Sequence, residues 1–270
     1  MGALRPFSIA LRWALCLSLT PLFGQGRDDL RLPQLSASEA AKALDDIRNS
    51  RLTSDVCFGF EAVHRPRRGD ASAPVKGTLW ASSRGDAHLL RIEMQDGANT
   101  RILARKSASG SEVLVHADGR LTRPTAGSFT PLSAGLLVSA FDLQLPFTHW
   151  SGTKYVSTER GRRPMHVFSA RQEGFEGEVT FGVDRAYGAI LEAKVSSSDG
   201  RPLRSLAVED FAKAGDQWVL GTCSVRDEAT RDTDLLKFTE AALGLRFGDD
   251  VFTEASLSRP AEKPAGFRPL

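Results

Sequence analysis

Five histidines, carboxylate pairs such as Asp45-Asp46 and Asp249-Asp250, and three cysteines are the residues of this 270-residue sequence whose types could do chemistry, and their spacing argues against most of it. His64, His88, His116, His149 and His166 stand far apart, with no two at the separation by which a loop or helix offers ligands to a metal. They are expected to be structural or surface residues, and neither a metal nor a cofactor is expected. No Gly-x-Ser-x-Gly elbow, phosphate-cradling glycine loop or Cys-x-x-Cys pair occurs. The carboxylate pairs Asp45-Asp46 and Asp249-Asp250 fall on segments that read as solvated. Cys57 and Cys223 lie in expected strands far apart in sequence. An oxidising compartment would allow a disulfide between them, and two separate buried thiols satisfy the pattern equally well. No catalytic residue is assigned, and the chain is not expected to be an enzyme.

The elements that would position side chains are clearer. From Arg163 to Asp227 short apolar/polar alternations are each closed by a turn signal: Gly174 to Gly177, Asp184 to Gly188, Asp199-Gly200, Gly215-Asp216. Such pairs supply the positive φ angles of tight hairpins, so the runs between them read as antiparallel strands. Earlier runs repeat the pattern at about Asp55 to His64, Val75 to Ser83, Ala87 to Gln95, Thr100 to Lys106, Glu112 to His116 and Arg120 to Arg123. Leu90, Ile92 and Met94 face one way and Arg91 and Glu93 the other, which is the division that a sheet with one wet face requires. A helix is expected over Ser36 to Asn49: Ser36 followed by Glu39 is a capping box, and Ala40, Leu44 and Ile47 form its apolar stripe. Leu132, Leu136, Leu137 and Ala140 recur at helical spacing and predict a second short amphipathic helix ending before Pro146. The basic loop Arg65 to Ala73 reads as a solvated hairpin tip; its Arg68-Gly69-Asp70 is too short to carry weight as an adhesion motif.

Composition sets the class. With 41% hydrophobic and 25% charged residues the chain is an ordinary globular protein with one core. A formal charge of +2, and no basic stripe interleaved with aromatics, exclude a nucleic-acid partner. The first 26 residues carry Arg5 and Arg12, an apolar run from Trp13 to Phe23, and Gly24 and Gly26, the layout of a secretory signal peptide cleaved after Gly26. The run has eleven residues, whereas a membrane anchor needs about 20. Cys16 follows Leu15 rather than a small residue, which makes it a poor lipid attachment site. Residues 27–257 are expected to form a single domain, and the segment from Ser258, with Pro260, Pro264 and Pro269, a disordered tail.

A signal peptide, a capped helix, a curling antiparallel sheet, a short helix ending in Phe141-Asp142-Leu143, and strand pairs after Gly152 follow one another in this order. The Asp199-Gly200 hairpin then leads into Val208-Glu209-Asp210-Phe211, the Trp218 strand, and a closing Val251-Phe252-Thr253 with Leu257. Over roughly residues 36 to 257 this succession resembles the LolA-like outer-membrane lipoprotein-sorting proteins. The resemblance implies a mainly β fold, an incompletely closed antiparallel barrel of about eleven strands with helices covering an apolar interior. It implies a monomeric periplasmic carrier of lipid or lipoprotein acyl chains, served by an inner-membrane exporter and an outer-membrane acceptor. The residues expected to line its cavity are Phe58, Phe60, Trp80, Leu90, Ile92, Met94, Val179, Phe181, Leu191 and Trp218. Two other readings remain open: a lipid-sensing adaptor of the same fold acting on a membrane partner, and a secreted hydrolase with a dispersed site.

Overall fold

Capping chemistry starts the fold. The computed structural model describes residues 32–125, 127–161 and 163–270, so the expected signal peptide lies outside the described residues. Helix α1 (Ala37–Arg48) begins at Ser36, whose backbone N–H donates to Glu39 Oε2 at 2.8 Å while its hydroxyl accepts from the Glu39 N–H. These bonds satisfy donors that every helix start leaves unpaired. Ala40 and Leu44 are buried, as the apolar stripe requires.

A run of hairpins follows: β1 (Asp55–Arg65), β2 (Val75–Arg84), β3 (Ala87–Met94), β4 (Arg101–Ser107), β5 (Gly110–Ala117) and β6 (Arg120–Thr122). After a connection containing α2 (Ala140–Gln144) and a 3-10 turn at Pro146–His149, a second run comprises β7 (Lys154–Arg160), β8 (Pro164–Ala170), β9 (Glu178–Asp184), β10 (Ile190–Ser196), β11 (Pro202–Ala214), β12 (Gln217–Asp227) and β13 (Thr233–Leu245). The last strand is β14 (Arg268–Pro269). All belong to one antiparallel sheet in the order β6-β5-β4-β3-β2-β1-β13-β12-β11-β10-β9-β8-β7, with β14 added to β13. The two meanders are joined where β1 pairs with β13, from Asp55 opposite Leu245 to Arg65 opposite Thr233. The sheet is not closed: β6 and β7 are its free edges.

Fourteen strands, rather than about eleven, are present among the described residues. Part of the surplus is β14, whose two residues are too few for any alternation to announce them, whereas β6 falls within the expected run Arg120 to Arg123. The tail also departs from expectation. Instead of a disordered end, Arg268 and Pro269 pair with Ala241 and Glu240, and Leu270 N donates to Thr239 O at 3.0 Å. Further back, the fully buried Arg91 guanidinium donates to the carbonyls of Val251, Ser256 and Arg259, which ties the segment after β13 to the outer side of β3.

Two apolar clusters fill the concave side. One gathers Phe58, Phe60, Ile92, Met94 and Phe238, the other Phe168, Val179, Phe181 and Ile190. Residues of the 132–150 connection enter both: Leu132, Leu136 and Val138 the first, Phe141, Leu145, Phe147 and Trp150 the second. The second helix is shorter than its sequence pattern predicts. Gly135 takes φ +82°, Pro131 bridges Ser139 as in a strand pair, and the backbone N–H groups of Leu137 and Val138 donate to Asp234 of β13. Those bonds hold the chain away from helical geometry until Ser139, so the apolar spacing of Leu132, Leu136 and Leu137 serves a folded loop.

Candidate functional site

Between the two meanders and the 132–150 connection a cavity of about 180 Å³ remains, with Leu206, which packs against both clusters, in its wall. Its floor is the inward face of the first meander: Val56 and Phe58 of β1, Leu79 and Ala81 of β2, Leu90 of β3. Alternation puts these residues on one side of the pleat. Phe238 of β13 stands edge-on to Phe58 at 5.4 Å between ring centres. The far wall is Ile190, Leu206, Val208 and Leu220, and the roof is Ile47 of α1 with Leu143 and Leu145 of the connection.

One end of the cavity is different. His88 and Lys106 are directly opposite each other on β3 and β4, and both continue the inward phase, His88 with Leu90 and Ile92, Lys106 with Ile102 and Ala104. Arg51, just after α1, donates to His88 Nε2 at 2.8 Å. Lys106 Nζ donates to Thr148 Oγ1 at 3.2 Å and reaches the Leu145 carbonyl at 3.5 Å. Burial, helped by the positive charge of Arg51, lowers the Lys106 pKa to about 7. Burial, Lys106 and Arg51 lower His88 to about 4, and burial with Lys106 and His88 lowers the neighbouring His149 to about 3. Desolvation disfavours each cation, and crowding the cations together adds to the effect. Both histidines are therefore neutral near pH 7. The Gln144 amide also lines this end, and its Nε2 is buried with no hydrogen-bond partner.

The connection that roofs the cavity is tied down by two aspartates. Asp142 accepts from Ser139 N at 2.8 Å, Ser139 Oγ at 2.7 Å and Arg204 Nε at 2.9 Å. Asp234 accepts from the N–H groups of Leu137 and Val138 and from His64 Nδ1 at 2.8 Å. On the other side, Arg48 of α1 donates to the carbonyls of Thr148 and Trp150 at 3.0 and 2.8 Å.

The ten residues expected to line a cavity are distributed as follows. Phe58 and Leu90 line it. Phe60, Ile92 and Met94 lie deeper in the first cluster, and Val179 and Phe181 in the second, where Phe181 meets Phe147 at 5.0 Å. Trp80 alternates with Leu79 and Ala81, which places it on the convex side, buried under the C-terminal segment with Arg91 6.0 Å over its ring. A register break between Ile190 and Glu192 turns Ile190, rather than Leu191, into the cavity wall. Trp218 is half-buried beside Lys213 and outside the cavity. Cys57 and Cys223 are two free, buried thiols. Cys223 lines the cavity, whereas Cys57 alternates with Val56 and Phe58 and sits on the opposite side of the sheet. Their partners on β13, Ala242 and Leu236, are six positions apart, about 20 Å along a strand, beyond the reach of a disulfide. Burial pushes the Cys223 thiol up to about 12 and Cys57 higher still, so both are protonated and unreactive.

Sequence reasoning passed over Arg51, Lys106, Gln144, Asp142, Arg204 and Asp234. A signal existed for two of the groups at the polar end: His88 and Lys106 occupy inward phases of strands whose other inward residues are apolar.

No protein-family model matches this sequence, and no curated protein matches it. Solved structures do. An outer membrane lipoprotein-sorting protein domain from Vibrio parahaemolyticus superposes with a TM-score of 0.69 at 13% identity, over 83% of this chain and 100% of that one. A DUF1329 family protein from Desulfovibrio piger gives 0.64 at 12% identity, over 80% and 95%. A LolA superfamily protein from Nitrosomonas europaea gives 0.57 at 15% identity, over 82% and 99%. With its open antiparallel sheet and nearly full-length overlap with these structures, the chain has the LolA-like fold.

Proposed function

We propose that this protein is a periplasmic carrier, delivered by its N-terminal signal peptide, that shelters the acyl chains of lipids or lipoproteins and moves them towards the outer membrane. The observation that carries the reading is the apolar cavity between the two meanders, floored by Phe58, Leu79 and Leu90 and roofed by a connection held through a few polar bonds. The likeness to a lipoprotein-sorting domain supports it. Each methylene moved from water into such a cavity is worth about 0.8 kcal/mol, which suffices to hold an acyl chain during aqueous transit. At about 180 Å³ the cavity is smaller than the roughly 300–1,000 Å³ of typical ligand pockets. Loading therefore involves displacement of the 131–150 connection, which makes that connection a lid and the form described here the closed one. The protein performs no covalent chemistry and works as a monomer, receiving cargo from an inner-membrane exporter and passing it to an outer-membrane acceptor.

Native mass spectrometry of the gently purified mature protein tests this. Lipid is expected to co-purify or to be taken up from micelles. Leu90→Asp, which puts a charge on the cavity floor, should abolish uptake, whereas Leu121→Asp on the exposed β6 should not. A folded wild-type protein that never carries lipid would sink the reading.

A further inference from the structure

Besides Ser50, Ser82 and Asp142, the polar residues lining the cavity are Arg51, His88, Lys106, Gln144 and Thr148 at one end, and the ionisable groups there are all basic. Lys106 bonds only neutral oxygens, Leu145 O and Thr148 Oγ1, and Arg51 only the carbonyls of Arg48 and Gly85 and the His88 ring. Among the described residues no carboxylate pairs with either cation. Asp142, the one acid on the cavity wall, is already engaged by Arg204 and Ser139, and Asp86 acts on His88 only from a distance. A buried cation without a counter-charge is costly, and so is a buried donor without an acceptor. Gln144 Nε2 is such a donor, on the same wall and one residue before the carbonyl that Lys106 reaches. These features ask for one thing, an anion with several acceptor oxygens.

Resting on the carrier reading of the cavity, we infer that its polar end is a headgroup site. The ligand is an amphiphile whose head is an oxyanion, a carboxylate or a phosphate, with Lys106 and Arg51 neutralising the head and the Gln144 amide donating to it. Thr148 and the neutral His88 hold the two cations in place from behind. The apolar chain then runs along Phe58, Leu79 and Leu90, away from the charge. Lys106, pressed down to a pKa of about 7 by burial and Arg51, regains its proton when the anion arrives.

Displacement of the uncharged fluorophore N-phenyl-1-naphthylamine from the full mature protein tests the inference. Dodecanoate and dodecyl phosphate are each compared with dodecan-1-ol, which has the same chain and no charge, and with inorganic phosphate, which has charge and no chain. The two anionic amphiphiles are expected to displace the fluorophore at about ten-fold lower concentration than the alcohol, the scale of one charged hydrogen-bonded contact. Inorganic phosphate should displace nothing. Lys106→Met and, independently, Gln144→Leu should bring the anionic ligands close to the alcohol, while Lys154→Met, on exposed β7 and away from the cavity, keeps the preference. Equal displacement by all three chains overturns the headgroup site and leaves the carrier reading standing. Displacement by inorganic phosphate alone also overturns it, since the chain would then add nothing. If the fluorophore enters no cavity and no amphiphile binds, the carrier reading falls with it.

Discussion

His88 and Lys106 face each other across β3 and β4, so register alone sets two bases side by side at one end of an apolar space. The titratable groups that act on Lys106 are Arg51, His88 and His149, all basic, and the stability of the empty protein should register this. Between pH 7 and the ordinary lysine value of 10.5, Lys106 is neutral when folded and charged when unfolded, so the unfolded state binds the extra proton. Stability then rises with pH across that window, and the cost is fully present below pH 7. His88 and His149 act in the same direction lower down, removing stability as pH falls from 6.5 towards about 4. Lys106→Met should therefore stabilise the ligand-free protein at pH 6 by about 1–3 kcal/mol, a gain that shrinks towards pH 10. Urea unfolding at the two pH values measures it, and an equal gain at both would refute the assignment. At this scale the sequence was half legible. The inward phase of Leu90, Ile92 and Met94 was readable, and extending it two residues back reaches His88. Gln144 and Arg51 were not, because their place depends on how the connection and the end of α1 fold over the sheet.

The connection itself shows how an element can be misjudged. Apolar spacing at Leu132, Leu136, Leu137 and Ala140 suits a helix, yet α2 begins only at Ala140 because Asp234, 94 positions beyond, captures the preceding N–H groups. No local pattern announces a partner at that distance. Its hold is polar and focused, and it should fail at a point. Asp142→Asn leaves the Arg204 guanidinium buried without its counter-charge, a loss of about 3–5 kcal/mol. Hydrogen exchange should quicken first at residues 132–145, and unaltered exchange there would show that Asp142 does not secure the connection. By contrast α1 and the hairpins were legible because each is specified by neighbours: Ser36 with Glu39, Asp199 with Gly200.

For the whole molecule, alternation predicted one dry face, and on β2 and β3 there are two. Trp80 and Arg91 on the convex side are covered by the chain after β13, so an apolar residue there reads like a cavity residue until its cover is known. Ending the chain at Ser258 should uncover Trp80, seen as a red shift of tryptophan fluorescence and a lower thermal midpoint; an unchanged spectrum would mean that the tail contributes no cover. Another property follows from the junction of the meanders. Asp55 meets Leu245 and Arg65 meets Thr233, contacts that span 190 and 168 positions of the chain. Each meander is assembled from local hairpins, but the contact that makes one sheet of them waits for nearly the last strand. Such long-range closure is slow, because loop entropy is lost before the pairing rewards it. During synthesis β1 is a bare edge carrying Val56, Phe58 and Phe60, open to pairing with another chain. The seam that unites the finished sheet is thus the place where an unfinished one is most exposed to aggregation.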